Sequence, residues 1–116
     1  MTTSSRSLPP TDTHASELLR ALKKRKTSRE FAARPLDLSL LANLLWAANG
    51  VNRVDGGRTA PSAHNTQSID IYVADANGLY RYDARRPALD LVKAGDLRAL
   101  TGVQAYAATA PVSLVL

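Results

Sequence analysis

The segment SIDIYVADANGLYRYD, residues 68–83, restricts the fold more than any other part of the chain. Ile69, Ile71 and Val73 alternate with Ser68, Asp70 and Tyr72, which is the period of a strand with one buried face. DANG supplies turn residues and GLYRYD reads as the return strand, so the two runs form a hairpin. Directly before it lies a small, polar, turn-prone stretch that includes Pro61, Ser62, Ala63, His64 and Asn65. That stretch closes a long loop, VNRVDGGRTAPSAHNTQ, with a hinge at Gly56-Gly57. Long ordered loops in small domains are often functional.

The other elements are arranged around this hairpin. Ala15 to Lys26 has an apolar stripe of Leu18, Leu19 and Leu22 and predicts a helix, with cations at the end that suits them in the helix dipole. TSREFAARPLD is a connector, broken at Pro35. Asp37 can cap a second helix carrying Leu38, Leu41, Leu45 and Ala48, with Gly50 as its stop. RRPALDLVKAG is predicted as a short helix. DLRALTGVQAYAATA is predicted as a longer one capped near Asp96, and PVSLVL as a buried strand. Residues 1–13, rich in Ser, Thr and Pro, are predicted to be a disordered lead, and residues 14–116 form the domain. The run ends at Leu116 inside an apolar strand, which predicts the N-terminal part of a longer protein or a strand covered by another chain.

Charge narrows the function. Residues 1–34 carry eight Lys and Arg against three acids, which accounts for the whole net charge of +5. The cluster suits a phosphate group or another anionic surface. It lacks interleaved aromatic residues, so a nucleic-acid role ranks last. There is no cysteine among the 116 residues, hence no disulfide framework and no thiolate metal site. A reducing, cytoplasmic setting fits, and neither a signal peptide nor a membrane span is expected.

Two stretches could carry chemistry. In KKRKTSREF, Arg25, Lys26 and Arg29 stand beside the hydroxyls of Thr27 and Ser28, a set able to hold a phosphate through charge-assisted hydrogen bonds. Taken alone, it also reads as a solvated helix end. In the polar loop, Ser62, Asn65 and Gln67 offer donors and acceptors that Pro61 stiffens, and such groups can hold a planar heterocycle by its edges. Taken alone, it also reads as an ordinary loop. His64 has no base or metal partner in the sequence and is read as a bystander. No catalytic nucleophile and no metal-ligand set is present, so any hard chemistry would fall to a cofactor.

Together the blocks LKKRKTSREF, PLDLSLLANLLWAANGVNR, GRTAPSAHNTQSIDIYVA, GLYRYD and DLRALTGVQAYAATAPVSLVL resemble, in order and spacing, the nitroreductase family of FMN enzymes, in particular its branch with the SagB-type azoline dehydrogenases. The resemblance implies an α+β fold, a mainly antiparallel sheet flanked by helices, incomplete in this chain. It implies a homodimer with flavin at the interface. Arg25 and Lys26 would face the FMN phosphate, Thr27 the ribityl chain, and Arg29 the pyrimidine edge. Pro61, Ser62, Ala63, Asn65 and Gln67 would act on the flavin of the partner subunit, and Gln104 is a further candidate. The implied reaction is ping-pong: NAD(P)H gives hydride to flavin N5, and electrons pass on to a nitroaromatic, a quinone or a related small-molecule acceptor. The alternatives are a non-catalytic remnant or interaction module of the same ancestry, or an azoline-forming peptide dehydrogenase.

Overall fold

Leu41 and Leu45, one helical turn apart, pack with Val73 on the neighbouring strand and Ile71 just before it, and these four side chains form the centre of the core. The computed structural model describes residues 5–116. Its elements are helix α1 (Glu17–Lys24), helix α2 (Leu38–Asn49), and strands β1 (Tyr72–Asp75), β2 (Gly78–Asp83), β3 (Ala88–Ala94) and β4 (Val112–Val115). The strands form one sheet in the order β3-β2-β1-β4, and every neighbouring pair is antiparallel.

Local chemistry explains the helix ends. Ser16 Oγ accepts from the Leu19 amide at 3.1 Å and starts α1, with Glu17 in the first turn and Lys23 and Lys24 in the last. The helix stops at Lys24 rather than at Lys26, with Arg25 as its C-cap in extended backbone. Arg25 to Arg29 are therefore outside the helix. Asp37 caps α2 by accepting from the Ser39 amide at 2.8 Å. Gly50 ends α2 as expected, although for lack of room and not for a left-handed turn. Its φ is −74°, and a Cβ there would overlap the Trp46 ring.

The hairpin forms around DANG. Asp75 Oδ1 accepts from the Asn77 and Gly78 amides at 2.8 and 3.0 Å, closing the turn. Strand β1 begins only at Tyr72, yet the expected burial holds for Ile71 and Val73, which are 3% and 0% exposed. Ile69 departs from it and is exposed.

Two expected helices are absent. RRPALDLVKAG forms β3, because Leu89 and Leu91 flank Asp90 with a period of two and pair with Tyr82 and Tyr80 across the sheet. The backbone bonds of β2 at that edge outweigh a weak helical preference. Val92 is the extra residue of a bulge opposite Leu79 and Tyr80. Arg86 fixes the β2–β3 turn, its guanidinium reaching Asp83 at 2.8 Å and Asp90 at 2.7 Å. DLRALTGVQAYAATA forms two short 3₁₀ turns, Arg98–Leu100 and Ala105–Ala108, interrupted at Gly102. Asp96 does not cap a helix. It grips the Arg98 guanidinium through both oxygens at 2.9 and 2.8 Å, while Arg98 also donates to the Ala110 carbonyl at 2.9 Å. PVSLVL is a strand as expected, though half-buried at the sheet edge.

The fold leaves much apolar surface without cover in this chain. Leu18 and Leu22 of α1 are 69% and 57% exposed, and Trp46 is 52% exposed. The radius of gyration is 18.8 Å, against about 13 Å for a compact domain of similar length. Residues 5–12 form no helix or strand, and residues 1–4 of the expected disordered lead lie outside the described residues.

Leu45→Ala is expected to lower the unfolding free energy by about 2–5 kcal/mol in denaturant titration, because Leu45 is almost fully enclosed. Leu40→Ala, on the exposed side of α2, should cost well under half as much. Equal losses would contradict the assigned core. Hydrogen bonds from Arg86 and Arg98 hold the carboxyls of Asp83 and Asp96 below the ordinary carboxylate range. On acidification the unfolded chain thus takes up protons first, and the stability these pairs contribute above about pH 4 is lost as pH falls through the folded-state values. Asp83→Asn should flatten that acid limb in a pH series of melting curves, and an unchanged limb would refute the pairing.

Candidate functional site

The loop between α2 and β1 is tied back to the end of α2 and knotted before β1. Midway along it, Thr59 donates from its amide to the Gly50 carbonyl at 2.9 Å, and Arg58 Nη1 donates to the Asn49 carbonyl at 3.0 Å. Both bonds satisfy carbonyls near the end of α2. Farther on, Ala63–Asn65 form a single 3₁₀ turn. Gln67 then folds back over it. Its amide donates to Ser62 Oγ at 2.9 Å, and its Nε2 donates to the Gly56 carbonyl at 2.9 Å and to Asn65 Oδ1 at 3.0 Å.

This knot holds strained backbone. His64, Asn65 and Gln67 have φ of 52°, 53° and 50°. Asn tolerates this left-handed region, while for Gln67 it costs about 1–2 kcal/mol, and such strain persists only where the surrounding structure over-determines it. Asn65 Nδ2 and Gln67 Oε1 are left without a hydrogen-bond partner among the described residues, one donor and one acceptor presented on a fixed frame. Beside them Pro61, Ser62 and Gln67 border a mainly apolar cleft of about 270 Å³, closed by Ala48, Ile69, Ile71 and Leu116. The site is thus an apolar wall with a polar edge, which fits the face and edge of a planar heterocycle.

The basic stretch lies elsewhere in the chain. Arg25, Lys26, Thr27, Ser28 and Arg29 are all exposed, and none makes an ion pair among the described residues. None of them borders the cleft beside Gln67. Within one chain the structure therefore does not join the two sets. It does link the basic stretch to the segment of Gln104. Phe31, two residues beyond Arg29, packs on Tyr106, two residues beyond Gln104, with ring centroids 6.2 Å apart. Gln104 itself is exposed at the start of the second 3₁₀ turn.

The nitroreductase family profile matches residues 22–116. The chain belongs to the nitroreductase family. It is similar to a candidate nitroreductase of Methanocaldococcus jannaschii, with 33% identity over 103 residues, covering 80% of this chain and 52% of that protein. It also matches the crystal structure of a candidate nitroreductase from Ralstonia eutropha, with a TM-score of 0.79 and 49% identity, covering 93% of this chain and 52% of that one. The two helices and the four-stranded antiparallel sheet have the nitroreductase fold, and the chain spans about half the length of both relatives. Neither relative's name refers to the azoline-forming branch.

Sequence reasoning singled out Asn65 and Gln67 but missed what fixes them. The Gly56 carbonyl, eleven residues before Gln67, is the anchor. Its sole sequence signal was the glycine pair. Ser62→Ala should leave the Gln67 amide without its acceptor. Its hydrogen exchange is expected to quicken about fivefold, the equivalent of roughly 1 kcal/mol for one hydrogen bond. Exchange at the wild-type rate would contradict the knot.

Proposed function

We propose that this chain forms the N-terminal half of an FMN-dependent NAD(P)H oxidoreductase, acting as a homodimer on a small-molecule electron acceptor such as a quinone or a nitroaromatic. The observation that carries the reading is the strained knot at Gln67, which sets Ser62 and Gln67 at the rim of an apolar cleft. The exposed cations on a separate segment complement it as a phosphate site. The residues fit FMN in two parts: Pro61, Ser62, Ala63, Asn65 and Gln67 suit the ring, and Arg25, Lys26 and Thr27 suit the phosphate and its chain. When bound, FMN would supply the acceptor for hydride and the donor of electrons.

Each protein group then has a role that its chemistry permits. Arg29 would set a positive charge at the pyrimidine edge, favouring negative charge there on reduction. Asn65 and Gln67 would orient the ring, and the cleft would keep water from one face. Gln104, carried on the segment that packs against the basic stretch through Tyr106, would add a polar contact on that side. Since the two sets are apart within one chain, the loop of one subunit would meet the flavin held by the other. A cytoplasmic location accords with this chemistry and with the absence of cysteine.

A second reading has an observation in its favour. The large uncovered apolar surface suits a non-catalytic module of the same ancestry. Added FMN and NAD(P)H, with a quinone as acceptor, separate the two, since sustained NAD(P)H oxidation supports the enzyme and excludes the module. Arg29→Ala should weaken FMN binding about 10- to 100-fold, as loss of a charge-assisted hydrogen bond would, while Arg6→Ala leaves it unchanged. Fluorescence titration of FMN reads both, and equal effects, or no FMN binding by a folded dimer, would refute the assignment.

A further inference from the structure

A second, charged cleft lies at the end of the sheet where the chain enters β1 and leaves β2. It has a volume of about 250 Å³ and is bordered by Arg58, Arg81 and Arg85 with Asp70, Asp83 and Tyr82. Asp83 is already engaged. Its Oδ1 accepts from the Arg85 and Arg86 amides at 3.0 and 3.2 Å, and its Oδ2 binds the Arg86 guanidinium. Asp70 alone then opposes three guanidinium groups.

Two of those groups are uncommitted. The side chains of Arg81 and Arg85 are exposed and make no hydrogen bond among the described residues. Arg58 is held in place by its bond to the Asn49 carbonyl, yet its Nε is buried and has no acceptor among the described residues. That bond fixes the guanidinium at the cleft and leaves its Nη2 without a partner among the described residues. The charge of Arg58 also reaches the pocket wall: burial raises the pKa of the Tyr82 hydroxyl, and Arg58 pulls it partly back.

We propose that this cleft binds a small oxyanion, a phosphate or a carboxylate, between Arg58, Arg81 and Arg85. Guanidinium forks match such oxygens in paired hydrogen bonds. The volume admits a phosphate group or a short dicarboxylate rather than a dinucleotide. The site is distinct from the basic stretch, since no residue from 25–29 borders it.

Thermal melting of the full chain with inorganic phosphate, and in parallel with succinate, tests this at constant ionic strength balanced by chloride. At least one anion should raise the melting temperature progressively with its concentration, as binding to the folded state requires. The double variant R81Q/R85Q should fold, since both side chains are exposed, and should lose most of the rise; R6Q/K93Q, with the same change of charge at exposed positions away from the cleft, should keep it. No rise with either anion, an undiminished rise in R81Q/R85Q, or a rise lost in R6Q/K93Q would overturn the proposal. Circular dichroism of R81Q/R85Q matching the wild type confirms that the loss reflects binding.

Discussion

The packing of Leu41 and Leu45 against Ile71 and Val73 is the contact on which the rest of the molecule depends. It joins the helix before the loop at Gln67 to the strand after it. Strand β1 is also the inner strand that pairs with both β2 and β4, so the same seam anchors the sheet. Because α2 and β1 are locked together, the loop between them has fixed ends. The bonds of Arg58 and Thr59 to the last carbonyls of α2 shorten the free span further. What is left to order is a short stretch, and Gln67 orders it with three hydrogen bonds.

Strain in that stretch has a physical consequence. Three residues in the left-handed region would relax in a free loop. Here the side chains of Ser62 and Gln67 hold them, using some of the loop's own polar groups and leaving Asn65 Nδ2 and Gln67 Oε1 without a partner among the described residues. A surface fixed before any ligand arrives loses little conformational freedom on binding. The basic stretch is different in kind. It follows the end of α1, exposed and unpaired among the described residues, so its cations are free to close on an anion.

Much of this was legible in the sequence, for identifiable reasons. The hairpin was readable because DANG carries its own turn chemistry in Asp75. The second helix was readable because Asp37 and the leucine spacing agree. The stretch at 88–94 was misread because Leu89, Leu91 and Val92 suit either structure, and only the free edge of β2 decides. The stretch at 96–110 was misread because its apolar spacing concealed the break at Gly102 and the grip of Asp96 on Arg98. At the site, the residue types in PSAHNTQ were informative, whereas the bond from Gln67 to Gly56 spans eleven residues and has no local pattern. The Arg58 cleft was hidden for the same reason. Its three arginines come from the loop, from β2 and from the turn after it.

The central claim is that the loop at Gln67 and the cations at Arg29 complete one site only when two subunits meet. Subunit complementation tests it most directly. One variant, K26A/R29A, lacks one cation proposed to face the phosphate and the one proposed to face the pyrimidine edge, and the other, N65A/Q67A, lacks the loop groups proposed to orient the ring. Each alone should bind FMN poorly. In a mixed dimer one of the two sites then combines intact cations from one subunit with an intact loop from the other. Unfolding and refolding the two variants together is expected to restore tight FMN binding that neither shows alone. Failure to restore it in verified mixed dimers would contradict a shared site.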